Sequence, residues 1–211
     1  MSSVLTIIRD AGWSVWPLIF ASIAALALVI ERFISLKSTR VIPPKLLEEA
    51  MQASQSGVPS AEVVNQLEQS SVFGSVLAAG LRALKSNPAI DADDLRSTLE
   101  GAGRAAAHQL DRYLAALATI ASVAPLMGLF GTIIGLIEMF GAHNATGAVA
   151  NPAAIAHGIS VALYTTAIGL MIAIPALLFW RYFRGRVDYY LLRMEVDTER
   201  FLRHLLRLRK K

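Results

Sequence analysis

Three threonines stand inside apolar stretches of this sequence that also contain glycine. Thr165 and Thr166 occupy the middle of "GISVALYTTAIGL", and Thr132 lies in "GLFGTIIG". A hydroxyl surrounded by hydrocarbon needs a hydrogen-bond partner, because leaving it unpaired costs free energy. The residues alone allow two interpretations. Each hydroxyl bonds back to a carbonyl of its own helix, or the hydroxyls face an interface that two helices share.

Glu138 is the only acidic residue within these apolar stretches. A carboxyl group inside a membrane is costly and is a functional candidate by default. Glu138 lies near the end of its apolar segment, however, where its side chain could also reach the lipid headgroups. The sequence leaves both interpretations open, a place at the mouth of a pore and an interfacial anchor.

Other kinds of chemistry find no support in the residue pattern. The chain contains no cysteine, and His143 and His157 flank a predicted loop without further ligand-type side chains nearby, so we expect neither a metal site nor a cofactor. The catalytic signatures are missing too, among them a Gly-rich phosphate loop with lysine and paired carboxylates at membrane depth. We therefore expect a protein that is not an enzyme.

The elements that must position the threonines are membrane-spanning helices. Of the 211 residues, 55% are hydrophobic and only 17% are charged. The apolar residues are concentrated in blocks as long as the roughly 20 residues that a bilayer-spanning helix needs. We predict an all-α integral membrane protein with three transmembrane helices, at residues 13–30, 113–140 and 154–180.

Basic residues beside these segments predict how they are oriented. Arg32, Lys37 and Arg40 follow the first segment, and Arg181 and Arg184 follow the third, which is typical of cytoplasmic flanks. The N-terminus is then outside and the C-terminus is cytoplasmic. The C-terminal tail, with ten Lys and Arg against four Asp and Glu, accounts for the net charge of +4. Because basic residues at the end of a span are typical of membrane topology, we expect no nucleic-acid partner. The remaining segments are a short external N-terminal segment (1–12), a cytoplasmic helical insert (31–112), an external loop (141–153) and a basic cytoplasmic C-terminal helix (181–211).

Helical periodicity continues beyond the second and third apolar segments. Asp91 is a suitable N-cap, and an apolar stripe at helical spacing leads from it into the second segment without a break before Gly141. The third helix is expected from about Pro152 to beyond Leu202. We therefore predict that both helices extend far into the cytoplasm.

Small residues recur at helical spacing on both of these helices, a pattern typical of helices that pack closely in lipid. Thr132 and Thr166 belong to these rows, which predicts one interface shared by the two helices. Thr165 is expected to face another direction and to bond back to its own helix. The helix-packing residues are Gly128, Gly131 and Gly135 on the second transmembrane helix, and Gly158, Ala162, Gly169 and Ala173 on the third.

Two motifs carry a resemblance to a known family. "APLMGLFGTIIGLIEMF" in the second span and "GISVALYTTAIGLMIAIPALLFWRYF" in the third resemble the MotA/TolQ/ExbB proton channel family, and its ExbB/TolQ branch in particular. The resemblance implies a homo-oligomeric ring of five copies around a central pore lined by the second and third spans. It implies two copies of an ExbD/TolR-like single-span partner, whose membrane aspartate carries the proton, and leaves room for a TonB/TolA-like protein.

The function that this resemblance implies is that of a proton-channel or stator subunit in the bacterial inner membrane. Such a subunit belongs to a motor complex that the proton motive force drives, and the complex energises a process in the cell envelope. Protons and the lipid bilayer are then the other partners of the chain.

The resemblance also assigns residues to a proton pathway. Thr132 in "GTIIG" and Thr166 in "TTAIG" match the family's pore threonines, and Ser160 and Glu138 are further candidates. One position departs, since Val161 in "GISVAL" stands where ExbB and TolQ usually have a glutamate. Hydroxyls without a neighbouring acid make sense if the titrating group belongs to the partner. Val161 keeps open an alternative function, a non-conducting membrane scaffold of the same fold.

Overall fold

The computed structural model describes residues 15–55, 57–146 and 152–209, and every regular element in these ranges is an α-helix. The predicted all-α class is confirmed for this part of the chain. The predicted external segment 1–12 and residues 147–151 of the predicted loop lie outside the described residues. The helices are α1 (Val15–Ser35), α2 (Ser38–Val41), α3 (Leu46–Ala53), α4 (Ala61–Ser70), α5 (Val72–Ser86), α6 (Ala92–Asp111), α7 (Leu114–Thr146) and α8 (Pro152–Arg209).

Three helical stretches are long and apolar enough to cross a membrane. They are Val15–Ser35, Ala92–Ile137 and Gly158–Leu208, and each contains more than the roughly 20 residues that a span requires. This agrees with three transmembrane helices in an integral membrane protein.

The helix ends differ in two places from the sequence pattern. The pattern predicts one helix from Asp91 to Gly141, whereas α6 ends at Asp111 and α7 begins at Leu114. The backbone of Arg112 keeps helical angles (φ −46°, ψ −44°). The two residues between the helices, Arg112 and Tyr113, include no proline or glycine that would mark the interruption. At the other end, α7 continues through Gly141 to Thr146, because a single glycine lowers helix stability by only about 1 kcal/mol.

The described residues form two compact units, and the first lies within 1–31 and 114–181. Its buried centre contains Leu18 of α1, Ala124 of α7 and Ala173 of α8, with Met127 and Ile168 packed against them. The outward-facing side chains of this unit are large and apolar, and its exposed members include Phe20, Leu126 and Met171. An apolar exterior around closely packed helices is typical of proteins embedded in lipid.

The second unit lies within 32–113 and 182–211, and its core is that of an ordinary helical bundle. Phe73 and Leu77 of α5, Leu95 of α6 and Phe201 and Leu205 of α8 are fully buried there. These side chains are drawn from helices far apart in sequence, so burial of their apolar surface holds the unit together.

A buried arginine links two chain segments at the edge of this second unit. Only 2% of the surface of Arg32 is exposed. Its Nη1 donates to the carbonyl oxygen of Leu110 at 2.9 Å, and its guanidinium lies 4.9 Å from the ring centre of Tyr113. Tyr190 makes a comparable link, since its hydroxyl donates to the carbonyl oxygen of Leu36 at 2.9 Å.

Candidate functional site: three threonines between α7 and α8

Glycines bring the backbones of α7 and α8 into contact. A Cβ atom on Gly169 would lie 2.6 Å from the carbonyl oxygen of Ala124, and one on Gly128 would lie 2.8 Å from that of Thr165. Both distances are far shorter than an ordinary van der Waals contact, so any side chain at either position would force the helices apart. The two glycines therefore allow an approach that brings groups on the two helices within hydrogen-bonding distance.

The same row of small residues continues along the interface in the other direction. A Cβ on Gly135 would lie 3.5 Å from the Cβ of Ala162, and one on Gly158 would lie 2.8 Å from the sulfur of Met139. Ala162, Ala173 and Gly131 are buried. The seven small residues predicted to pack are therefore buried or half-buried, and Gly128, Gly135, Gly158 and Gly169 adjoin atoms of the opposite helix.

Thr132 is the centre of the polar contacts at this interface. Its Oγ1 lies 2.6 Å from Oγ1 of Thr166 and 3.3 Å from Oγ1 of Thr165. It also lies 2.9 Å from the carbonyl oxygen of Ala162 on α8 and 3.2 Å from that of Gly128 on its own helix. Thr132 therefore has both kinds of contact considered above, one within its helix and others across the interface.

Thr165 is where the sequence-based expectation is wrong in part. Its side chain is only 2% exposed, and it does bond back, since Oγ1 lies 2.7 Å from the carbonyl oxygen of Ala162. It does not face away from the interface, however, because the same atom lies 3.1 Å from the carbonyl oxygen of Gly128 on α7. Neighbouring residues on a helix differ by about 100°. Since both Thr165 and Thr166 contact α7, this interface is wide enough to include both.

The other predicted pathway residues are not joined to this cluster. Ser160 is exposed, and its hydroxyl donates to the carbonyl oxygen of Ala156 at 2.9 Å on its own helix. Glu138 and Val161 have their backbones in α7 and α8, but their side chains lie outside the described part of the structure. Their assignment to a pathway stays a prediction.

The chemistry available to the cluster follows from its groups. A hydroxyl carries one proton that it can donate and two lone pairs that can accept. Neither of the two carbonyls can donate. The three threonines can therefore form a connected set of hydrogen bonds in which each hydroxyl both donates and accepts, but they do not titrate near neutral pH. Among the described residues, no group of three or more His, Cys, Asp or Glu side chains is arranged to hold a metal ion.

The comparison with known families settles the class of protein. Residues 68–196 match the model of the MotA/TolQ/ExbB proton channel family. The chain belongs to this family. The matched range includes α7 and the part of α8 that carries Thr165 and Thr166, so the threonine cluster lies in the region that defines membership. Members of the ExbB/TolQ branch are membrane proteins, and this agrees with the three apolar helices of the chain.

Relatives of both the ExbB and the TolQ types cover most of the chain. The biopolymer transport protein exbB1 of Vibrio cholerae is 32% identical over 177 residues, which are 83% of this chain and 77% of that protein. The Tol-Pal system protein TolQ of Pseudomonas aeruginosa is 28% identical over 198 residues, 87% and 82% of the two chains. The ExbB protein of Salmonella typhimurium is 42% identical over a shorter stretch of 74 residues, 35% of this chain and 30% of that protein. The resemblance to the ExbB/TolQ branch is confirmed.

Proposed function

We propose that this chain is the proton-channel subunit of an inner-membrane complex that uses the proton motive force to energise an envelope process. Five copies form a ring, their second and third spans line its pore, and two ExbD/TolR-like helices occupy the pore. A TonB/TolA-like protein is a further partner of the complex. Family membership supports the channel class, and the Thr132–Thr166 contact of 2.6 Å is the observation that carries the assignment of the site.

In this proposal the titrating group comes from the partner. Val161 replaces the usual glutamate of the ExbB/TolQ motif, so the third span of this chain supplies hydroxyls and no carboxyl. The partner's membrane aspartate takes up a proton that enters from outside and releases it towards the cytoplasm. Each proton moving through 100 mV supplies about 2.3 kcal/mol, and the alternating charge of the aspartate lets the partner helices step from one copy to the next.

The hydroxyl pair is suited to this task because it is neutral and remains partly exposed. Thr132 and Thr166 are half-buried in the single chain, so each keeps a surface that another polypeptide can contact. A carboxylate accepts hydrogen bonds, and a protonated carboxyl group also donates one. A hydroxyl satisfies either form without the desolvation cost that a second charge would add.

The orientation proposed for the chain is the one that its charges favour. The basic residues near the ends of the first and third spans are expected to stay in the cytoplasm. They are Arg32 in the last turn of α1, Lys37 and Arg40 after it, and Arg181 and Arg184 in α8. The N-terminus is then external, and residues 31–112 and 181–211 are cytoplasmic.

Proton flux into liposomes tests this function. The vesicles contain this chain and an ExbD/TolR-like partner, and the flux is measured under an imposed potential. We expect Thr166→Val to lower the flux roughly 10- to 100-fold, since a hydrogen bond to a charged group contributes about 1.5–3 kcal/mol. Exchanging the partner's aspartate for asparagine should abolish the flux. Thr119→Val is the matched control, because Thr119 is exposed on α7 and its hydroxyl bonds back to its own helix, at 2.9 Å from the carbonyl oxygen of Ala115.

Val161 favours one alternative, a scaffold of the same fold that does not conduct. A scaffold would form the ring and hold the partner, but the vesicles would show no flux that depends on the partner's aspartate. Unchanged flux in Thr166→Val, with the ring intact by mass measurement, would instead contradict the role of the threonine pair within a working channel.

A further inference from the structure

The three hydroxyls of the cluster carry fewer protons than the cluster has lone pairs that can accept them. Thr132, Thr165 and Thr166 each carry one hydroxyl proton. The oxygens of Gly128 and Ala162 each accept one helical amide proton and keep a second lone pair for a hydroxyl. Three protons therefore serve two carbonyl lone pairs and the hydroxyl oxygens, so more than one arrangement satisfies the cluster.

Thr132 and Thr165 compete for one of these acceptors. Oγ1 of Thr165 lies 2.7 Å from the carbonyl oxygen of Ala162, and Oγ1 of Thr132 lies 2.9 Å from the same oxygen. Both hydroxyls also lie within hydrogen-bonding distance of a second acceptor, the carbonyl oxygen of Gly128, at 3.1 Å for Thr165 and 3.2 Å for Thr132. When Thr165 donates to Ala162, the proton of Thr132 is left for Gly128 or for Thr166.

The acceptor to which Thr132 donates determines whether Thr166 can donate a hydrogen bond on its exposed side. Either oxygen of the 2.6 Å pair can be the donor. If Thr132 donates to Thr166, the proton of Thr166 is free to point away from the interface. If Thr132 donates to Ala162 instead, Thr166 donates to Thr132 and presents only lone pairs on its exposed side.

We propose that the buried Thr165 hydroxyl is a positioning group that keeps both arrangements accessible. By occupying the carbonyl oxygen of Ala162, it releases the proton of Thr132 to Thr166 and so lets Thr166 act as a donor as well as an acceptor. This inference rests on the proposed function, in which Thr166 meets the partner's carboxyl group. A carboxylate needs a donor and the protonated form needs an acceptor, so both states of Thr166 are used in each cycle.

Isosteric variants separate this role from simple packing. Thr165→Val keeps the shape of the side chain and removes the hydroxyl, whereas Thr165→Ser keeps the hydroxyl and removes a methyl group. Without the Thr165 hydroxyl, the carbonyl oxygen of Ala162 is always open to Thr132, which favours the arrangement in which Thr166 presents only lone pairs on its exposed side. We expect Thr165→Val to lower the flux in the liposome assay about tenfold, which corresponds to about 1.4 kcal/mol, and Thr165→Ser to retain most of the flux.

Two results of the flux assay would overturn the inference. One is wild-type flux in Thr165→Val, and the other is an equal loss in Thr165→Val and Thr165→Ser, which would indicate packing alone. The Thr119→Val control must stay at the wild-type rate, and the ring mass must be unchanged in every variant. If the wild-type flux does not depend on the partner's aspartate, the proposed function fails instead, and the competition is then judged by stability.

A double-mutant cycle tests the competition without any transport. The melting temperature of the detergent-extracted ring is measured for Thr132→Val, Thr165→Val and the double variant. Each single variant leaves one hydroxyl to serve Ala162, whereas the double variant leaves none. We expect the double variant to lose more than the sum of the single losses, and simple additivity would contradict the competition.

Discussion

Replacing Gly169 by alanine perturbs the interface that brings the threonines together. The new Cβ would lie 2.6 Å from the carbonyl oxygen of Ala124, whereas ordinary contact begins at 3.4 Å. The obstacle is backbone and cannot rotate away, so α7 and α8 must separate by about 0.8 Å. The same widening would carry the 2.6 Å pair of Thr132 and Thr166 to about 3.4 Å, beyond the usual range for hydroxyl hydrogen bonds.

The expected cost of Gly169→Ala follows from this overlap. Overpacking in a close-packed interface costs about 1–3 kcal/mol, and the separated threonines add the loss of a hydrogen bond of about 1 kcal/mol. We expect a lower melting temperature of the detergent-extracted protein, and proton flux in liposomes reduced about tenfold or more.

Gly185 offers a matched control on the same helix. A Cβ built there meets nothing within 4 Å, and alanine is a better helix former than glycine by about 1 kcal/mol. Gly185→Ala should therefore melt at the same or a higher temperature and conduct normally. Wild-type stability and wild-type flux in Gly169→Ala would refute the close approach of α7 and α8 at this position.

Two further expectations concern the second unit. Arg32→Leu should destabilise the full chain by about 1–3 kcal/mol, because the carbonyl oxygen of Leu110 loses a buried charged donor at 2.9 Å; a melting curve unchanged from that of the exposed-site control Arg40→Leu would contradict this. Desolvation and the nearby charge of Arg207 hold the pKa of His204 below its usual 6.5, so the unfolded chain takes up the proton first as the pH falls. The contribution of His204 to stability should be constant above about pH 6.5, fall below it and level off beneath the folded-state pKa, and a variant His204→Gln with the same pH slope would show that another group is responsible.

The sequence predicted the threonine interface because small residues at helical spacing in an apolar segment usually indicate close helix packing. Thr132 and Thr166 each occur in a row of glycine and alanine at helical spacing, and the structure places these rows against each other. The helical period and the cost of a lone hydroxyl in hydrocarbon were sufficient for this step. They could not say that the backbones touch at Gly128 and Gly169, since contact distances depend on how deeply two helices interlock.

Thr165 shows where periodicity stops being informative. A step of about 100° separates it from Thr166, and a narrow contact would have left it outside. Because the glycines let the helices interlock, the interface is wide enough to bury Thr165 and to half-bury Thr166. A second threonine directly beside a predicted interface residue was the available signal, and the width of a glycine-lined contact was the missing quantity.

The sequence pattern also could not predict the interruption between α6 and α7 at residues 112–113 or the arrangement of helices in the second unit. Arg112 keeps helical angles. Because arginine is a good helix former, its residue type does not mark the end of α6. The core of the second unit joins Phe73, Leu95 and Phe201 from three separate helices. An apolar stripe predicts that a helix face is buried, but it does not identify the partner helix.

The most direct test of the proposed pore is a disulfide between a cysteine at position 166 and the proposed ExbD/TolR-like partner. The chain has no cysteine of its own, so Thr166→Cys is a single-cysteine variant, and the partner carries a cysteine in place of its membrane aspartate. We expect oxidation in membranes to cross-link Thr166→Cys to the partner, while Met171→Cys, at a position 73% exposed on the apolar exterior, stays unlinked. Cross-linking of Met171→Cys but not of Thr166→Cys would contradict a pore in which the threonines meet the partner's carboxyl group.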